Sequence, residues 1–590
     1  MKFFTGKKIL CLVLALVLVM SVLPGCQKTP TKQEEKQETP APTTKVSQLP
    51  VPREETVVRE DPAVFNQFDS FNPYIPNGVE YAAGFWQISA ENLFIFNWVT
   101  GEIVPWLATG YEYSDDYKTF TLKLRDGVTW NDGQPFTADD VVFTVKLEMS
   151  KEELGARAWE NVENVVVKDP HTVVFTLKQP DVRFFQKFVN YIDVGWIPLP
   201  KHIWEGKDPL QFKNNPPVTT GPYKLKEVIP DLKMFVWERN ENYWGKKYGH
   251  FPAPKYVVMK SAPSPDAAFQ EFINNEVDIP VLASYEQAKQ AMKKNPSSSK
   301  VEWMDPCPRA LWLNCGAGPT SDVRVRYAIS YLLDREKIAK AYFQPESTPA
   351  AFPLPAYTGI EEKFASKDLL AKYDWTSVYS PEKAAKLLDE AGYKMGPQGV
   401  RVDKDGKPVE IEIITPMAVG STEYNIALSL SEELKKIGIN ATVRSLDMSV
   451  ETEKILMGDF NIDSRWIPFY GDPYSIYRKF ATKNFVPIGE RCTTGNWVRL
   501  KDAEWDKVLD ELAKVLPDSP GAHEAYVKAL ELFLKDLPVI PVAQTPYVTV
   551  FSTAYWTNWP TQDNMYVVPA SHWGPSMLTM ILNIKPAKTK

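Results

Sequence analysis

The chain has 590 residues, 44% apolar and 24% charged, with a formal net charge of −7 at neutral pH. Those proportions are globular averages and exclude a disordered chain or a membrane channel for the bulk, and the acidic balance lacks the basic face a phosphate backbone demands, so no nucleic-acid partner is expected. At roughly 100–200 residues per domain the length implies about three units. At the amino end Lys2, Lys7 and Lys8 accompany an apolar run over residues 9–22 that is too short for an ordinary spanning helix, and Leu23-Pro24-Gly25-Cys26 follows.

That ending resembles a bacterial lipobox. The resemblance implies a signal peptide over residues 1–25, cleavage before Cys26, and acylation that anchors the protein to the cell membrane on its extracytoplasmic face. Residues 26–60 are rich in Lys, Glu, Thr, Gln and Pro and almost free of aromatics, so they are expected to form a disordered tether, with folded sequence starting near Asp61. Of five cysteines, Cys11 leaves with the signal and Cys26 is the lipid site. Cys307 and Cys315 flank a strand-like run whose ends lie about 20 Å apart when extended, which excludes a local bridge; a long-range pair of either with Cys492 stays open.

Residues 72–81 include Asn72, Pro73, Pro76, Asn77 and Gly78, which forbid a helix and favour an irregular, exposed path. Two strand-like runs, 119–124 and 128–130, are set about by the turn pairs Asp126-Gly127 and Asp132-Gly133 and read as a meander. Thr137 and Asp140 then form a capping box ahead of Val141-Val142-Phe143, so a helix follows. Residues 161–177 alternate apolar and polar around Lys168-Asp169-Pro170-His171, a hairpin.

The wording of residues 100–143, from Thr100-Gly101-Glu102 to Val141-Val142-Phe143, closely resembles the signature segment of family 5 extracellular solute-binding proteins, the peptide-type receptors of ABC importers. Thr219-Thr220-Gly221-Pro222-Tyr223 and Arg239-Asn240 with Tyr243-Trp244-Gly245 resemble a second signature of that family, and Ser321-Asp322-Val323-Arg324-Val325-Arg326 a third. The resemblance covers nearly all of the chain past Asp61. It implies an α/β, two-lobed periplasmic-binding-protein type II fold with an extra subdomain in the first lobe and hinge strands joining the lobes. The expected division is lobe I over 61–97, 200–310 and 545–590, the extra subdomain over 98–199, and lobe II over 311–544.

Beyond the second signature, Ser264-Pro265-Asp266 starts a helix towards Asn275, and helices are expected over 326–333, 383–391, 423–437, 505–515 and 523–534. Strands are expected over 411–415 and 441–446, and two short ones over 538–543 and 548–551. This alternation makes the stretch from Leu311 to about Gln544 an α/β unit.

No phosphate-cradling G-x-x-x-x-G-K-[ST], H-E-x-x-H, G-x-S-x-G or G-x-G-x-x-G word occurs. The five histidines, at 171, 202, 250, 523 and 572, have no ligand spacing. Neither catalytic machinery, cofactor nor metal is therefore expected; a secreted hydrolase with dispersed catalytic residues is the remote alternative. The family resemblance implies a monomeric receptor with two permease subunits and their ATPases as partners. It places main-chain contacts to the solute at Asn77, Gly78, Val79, Glu80 and Tyr81, and a second-lobe ligand segment at Trp466, Phe469, Tyr470 and Asp472. The family usually has an acid where this chain has Phe469. The resemblance makes an extracellular oligopeptide the expected solute; the departure at Phe469 removes a partner for a peptide amine and, with 18 Trp whose flat faces suit sugar rings, keeps a cello- or xylo-oligosaccharide as the alternative.

Overall fold

In the computed structural model, residues 49–262, 264–282, 284–343, 347–357 and 360–588 are described. The signal peptide, Cys26 and most of the tether lie outside them. The first sheet begins with Thr56–Asp61, which runs parallel to Tyr256–Ser261; Met234–Arg239 and Tyr223–Ile229 continue it antiparallel. Both parallel strands are buried at all six positions, as strands covered on both faces must be.

The fold thus starts earlier than expected, since Val51 is already buried and Val57 and Val58 are fully so. The sequence Thr56-Val57-Val58-Arg59-Glu60-Asp61 reads as polar, but its charges are neutralised inside the sheet. Arg59 meets Asp61 at 2.7 Å, and Glu60 meets Lys260 at 3.5 Å. Burial of charge is tolerated when it is paired in this way.

A second, four-stranded antiparallel sheet holds Ala108–Tyr113, Thr119–Leu124, Thr172–Leu177 and Val162–Asp169 in that order. Thr119–Leu124 alternates half-buried and buried residues, the pattern of a sheet with one face on a core. The run 128–130 makes only an isolated bridge from Thr129 to Pro135, so the meander partner is Ala108–Tyr113 instead. The capping box forms: Thr137 donates its amide to Asp140 at 2.9 Å and opens the helix Ala138–Met149. The hairpin Val162–Asp169 with Thr172–Leu177 packs under it.

The third sheet has the order Asn440–Ser445, Glu410–Thr415, Ile462–Trp466, Ser298–Leu313, Val539–Ser552. Helices Thr422–Lys436, Val323–Tyr331, Pro381–Glu390, Ala503–Leu512 and Ala522–Asp536 accompany it. The Ser264, Asp322, Ser380 and Ser421 side chains each accept a first-turn amide of their helix, as N-caps do.

Ser298–Leu313 and Val539–Ser552 are the two long strands of this sheet and pair with each other. The two short strands expected near the carboxyl end are one long strand, which its prolines had disguised. Residues 298–305 pair with 545–552, residues 309–312 pair with 539–543, and the register slips between Asp305 and Arg309. Pro306 and Pro308 stand in that gap, and neither has an amide hydrogen for the ladder. The slip divides the pair into two halves. Cys307, Cys315 and Cys492 are all free thiols, so Cys492 pairs with neither of the others.

Candidate ligand cleft

Residues 72–81 form the irregular loop expected of them. Asn72 is buried and donates to the Pro209 carbonyl at 2.8 Å, and Gly78 closes a turn onto Ile75 at 2.7 Å. A Cβ at Gly78 would stand 2.3 Å from the Asn72 carbonyl. Asn77 is exposed at φ 55°, a conformation Asn tolerates better than most residues. Val79 bridges to Phe71, and Glu80 accepts the amides of Asn66 and Gln67, both at 2.7 Å. Tyr81 donates its hydroxyl to Asp193 at 2.6 Å.

On the second lobe, Trp466 ends the strand Ile462–Trp466. It is half-buried, accepts a bond from the Trp312 indole at 3.1 Å and lies 5.1 Å under the Arg465 guanidinium. Phe469 is fully buried, its ring 6.0 Å from that of Trp98. Tyr470 is 40% exposed and meets Tyr191 edge-on at 6.5 Å. Asp472 is buried and committed: it takes Arg183 Nε at 2.6 Å, the Tyr526 hydroxyl at 2.5 Å and the Tyr474 amide at 2.9 Å.

Asp193 links the two segments. It is bonded to Tyr81, it lines a cavity of about 760 Å³ together with Tyr470, and burial raises its carboxyl above the ordinary range while Tyr81 opposes the rise. Asn77, Gly78, Val79, Glu80, Tyr81, Trp466, Phe469 and Asp472 do not line this cavity; of the expected site residues only Tyr470 does.

A second cavity, of about 710 Å³, opens beside the crossing strands. Its wall includes residues that sequence reasoning missed: Arg59, Trp303, Arg309, Tyr342, Tyr547 and His572. Trp303 and Tyr547 face each other with ring centres 5.1 Å apart. Arg309 stands at the register slip, pairs with Glu423 at 2.6 Å and donates to the Tyr547 hydroxyl at 3.1 Å. His572 is pushed down to about 4, first by burial and then by the Arg59 charge, so it is neutral at physiological pH. Aromatic faces with a few fixed polar groups make a wall suited to binding. No local pattern marked these residues, because their meeting depends on the pairing of Ser298–Leu313 with Val539–Ser552.

One residue ties the bodies together on the other side. Arg183 follows the second sheet in sequence, yet it donates to Asp472, to Tyr526, and to the carbonyls of Leu512, Ala513 and Val515. Its guanidinium also lies 4.4 Å over the Tyr474 ring. Among the described residues no group of three or more His, Cys, Asp or Glu is placed to hold a metal ion, and no helix is long and apolar enough to cross a membrane.

The model of bacterial extracellular solute-binding proteins, family 5 Middle, matches residues 102–486. The chain belongs to that family. It is a solute-binding protein of the peptide ABC importer type. It is 27% identical over 445 residues to the oligopeptide-binding protein AppA of Bacillus subtilis, covering 73% of this chain and 76% of that one. Among solved structures it is similar to a periplasmic oligopeptide-binding protein of an oligopeptide ABC transporter from Thermotoga maritima, at a TM-score of 0.78 and 27% identity over 90% of this chain and 99% of that one. The same Thermotoga maritima protein with bound mannohexaose matches at a TM-score of 0.76 and 27% identity, over 91% and 100% of the two chains. The α/β, two-lobed architecture anticipated from the signature words is therefore the fold of this chain, and members of its family are substrate-binding components of transporters rather than enzymes.

Proposed function

We propose that the chain is the receptor of an ABC importer, that it captures an extracellular oligopeptide between its lobes without chemical change, and that it delivers the solute to two permease subunits driven by their ATPases. The observation that carries this reading is the pair of long strands, interrupted at Pro306 and Pro308, with a cavity of about 710 Å³ opening beside them; a further cavity of about 760 Å³ lies apart from them, between residues 160–195 and 470–513. Hinge closure about such connections is a known mode of periplasmic binding proteins, and closure buries polar groups of a solute from both sides. In this reading Tyr81 and Tyr470 face the solute; Asn77, Gly78, Val79 and Glu80 present main-chain groups; Trp466 and Phe469 form a wall; and Asp472 holds the wall in place.

One observation favours an oligosaccharide instead. Phe469 stands where the family usually has an acid, and Asp472 is already spent on Arg183 and Tyr526, so the segment offers no free carboxylate to a peptide amine. Trp303, Tyr547, Tyr342 and Tyr470 supply ring faces that suit sugars. Calorimetry with a peptide panel and with cello-, xylo- and manno-oligosaccharides separates the two. Stoichiometric binding of peptide, recovered intact, supports the first reading; sugar binding alone replaces it, and catalytic turnover of any ligand removes the receptor role.

The amino end completes the proposal. Cys26 is acylated and the mature protein sits as a monomer on the extracytoplasmic face of the cell membrane. A labelled lipid precursor should follow the wild-type chain and not Cys26→Ala; an unlabelled, freely soluble wild type refutes the anchor.

A further inference from the structure

The cavity beside Tyr470 contains two cations with no partner. Lys187 comes from the first-lobe side and Arg478 from the second, and both line the same space of about 760 Å³. Among the described residues neither side chain has an ion pair or a hydrogen-bond partner. The other two basic residues there are satisfied, Arg183 by Asp472 at 2.6 Å and Lys483 by Asp510 at 3.3 Å.

Three carboxylates share the wall, and each is otherwise engaged or remote from the cations. Asp193 is held by Tyr81, Asp181 caps the Arg183 amide at 2.9 Å, and Glu160 is exposed at the rim. None comes within ion-pair reach of Lys187 or Arg478. The Lys187 ammonium instead stands 5.8 Å from the Trp159 ring centre and 5.9 Å from that of Phe184. Burial holds Lys187 below the ordinary lysine range; the charges of Asp181 and, more weakly, Glu160 oppose that shift, and Arg478 adds to it. A desolvated ammonium beside a second unpaired cation is costly when empty and favourable once an anion arrives.

We propose that Lys187 and Arg478 form an anion-binding subsite that takes a carboxylate of the bound solute. The proposal rests on the reading that the solute lies between the lobes, and it specifies one end of that solute. A carboxylate can come from the carboxyl terminus of a peptide or from a uronic acid of an oligosaccharide. The geometry suits either: the two cations approach from opposite lobes, so the anion bridges them and its binding favours closure.

The test uses the full mature chain and four probes in calorimetry: alanine pentapeptide as the free acid and as the amide, trigalacturonate, and neutral mannohexaose. The wild type is expected to bind at least one acid-bearing probe tenfold or more tighter than its neutral counterpart. Lys187→Met and Arg478→Gln should each reduce that ratio towards one while leaving the affinity of the neutral probe within about threefold. Arg478 is exposed, so its variant separates a binding effect from a folding defect. Discrimination confined to the peptide pair assigns the subsite to a carboxyl terminus, and discrimination confined to the sugars assigns it to a uronate and overturns the peptide reading alone. Equal affinity for charged and neutral probes, failure of the wild type to bind either charged probe, or ratios unchanged in both variants overturns the subsite, and amide binding that persists in those cases leaves the peptide reading standing.

Discussion

Replacing Arg183 by Met tests whether this one side chain holds the stretch around residue 183 to the stretches at 472 and 512–526. The guanidinium and the Asp472 carboxylate are 6% and 2% exposed, at 2.6 Å, and removing one partner of a buried pair costs about 3–5 kcal/mol because the other charge is left uncompensated. The carbonyls of Leu512, Ala513 and Val515 lose donors as well, which places the expected loss towards the upper part of that range. Since Arg183 joins two bodies, the loss has two outlets. If the lobes stay closed, it appears as a lower urea midpoint; if they part, it appears as a larger radius of gyration in solution scattering. Opening also reduces apparent solute affinity in proportion to the closed fraction. Arg183→Lys keeps the charge but not the planar five-donor fork, and should recover less than half of the loss. A double-mutant cycle with Asp472→Asn should show strong coupling. Unchanged midpoint, unchanged radius and a coupling energy near zero would together refute the tie.

Glu91 accepts bonds from Trp106 at 2.8 Å, Tyr243 at 2.6 Å and Trp244 at 2.9 Å, yet complete burial still pushes it up to about 7 from 4.5. The native carboxyl thus holds its proton more tightly than the unfolded one. Its contribution is complete below the unfolded value and is lost as pH rises through about 7, a change of about 3 kcal/mol; urea midpoints against pH should show this fall, and Glu91→Gln should flatten it. Phe469→Asp places a carboxylate at a position with no exposed surface beside Trp98, and should cost several kcal/mol in the empty protein, partly recovered by a ligand with a free amine. A melting temperature equal to wild type would show that the site opens to water. Gly221→Ala should destabilise by about 1–3 kcal/mol or more, because its Cβ would lie 2.2 Å from the Ser89 carbonyl oxygen, a backbone atom that already accepts the Gly221 amide at 2.8 Å; a thermal scan within a degree of wild type contradicts this.

Local chemistry was legible in the sequence wherever a short-range rule applied. The Thr137 and Asp140 box, the Ser264 and Ser380 caps and the hairpin around Lys168 to His171 all form. Elements that depend on distant partners were misread. Thr56–Asp61 looked like tether because three of its six residues are charged, and their neutralisation by Lys260 and by one another is a tertiary fact. Val539–Ser552 looked like two short strands because Pro546 falls between them, although its pairing with Ser298–Leu313 tolerates that proline and Pro541 as well. The site suffered most from this limit. Asp472 meets Arg183 across 289 residues, and Trp303 and Tyr547 meet across 244. No local pattern announces either encounter.

The substitution at 469 and the commitment of Asp472 belong to one arrangement. If the lobes close on a solute as proposed, the closed protein has Phe469 buried beside Trp98 and Arg183 paired with Asp472, so apolar contact and a satisfied ion pair are in place before any solute is considered. An acid at 469 would do the opposite, since it would be desolvated on closing and would need a cation from the ligand to offset the cost. A chain built with Phe469 therefore makes closure less dependent on a ligand amine. Selectivity must then come from groups that remain unsatisfied in the closed protein. In the proposal Lys187 and Arg478 are such groups, and Asp193 and Tyr470 line the same cavity, which would move the chemistry of recognition from the aromatic segment at 466–472 to that cavity.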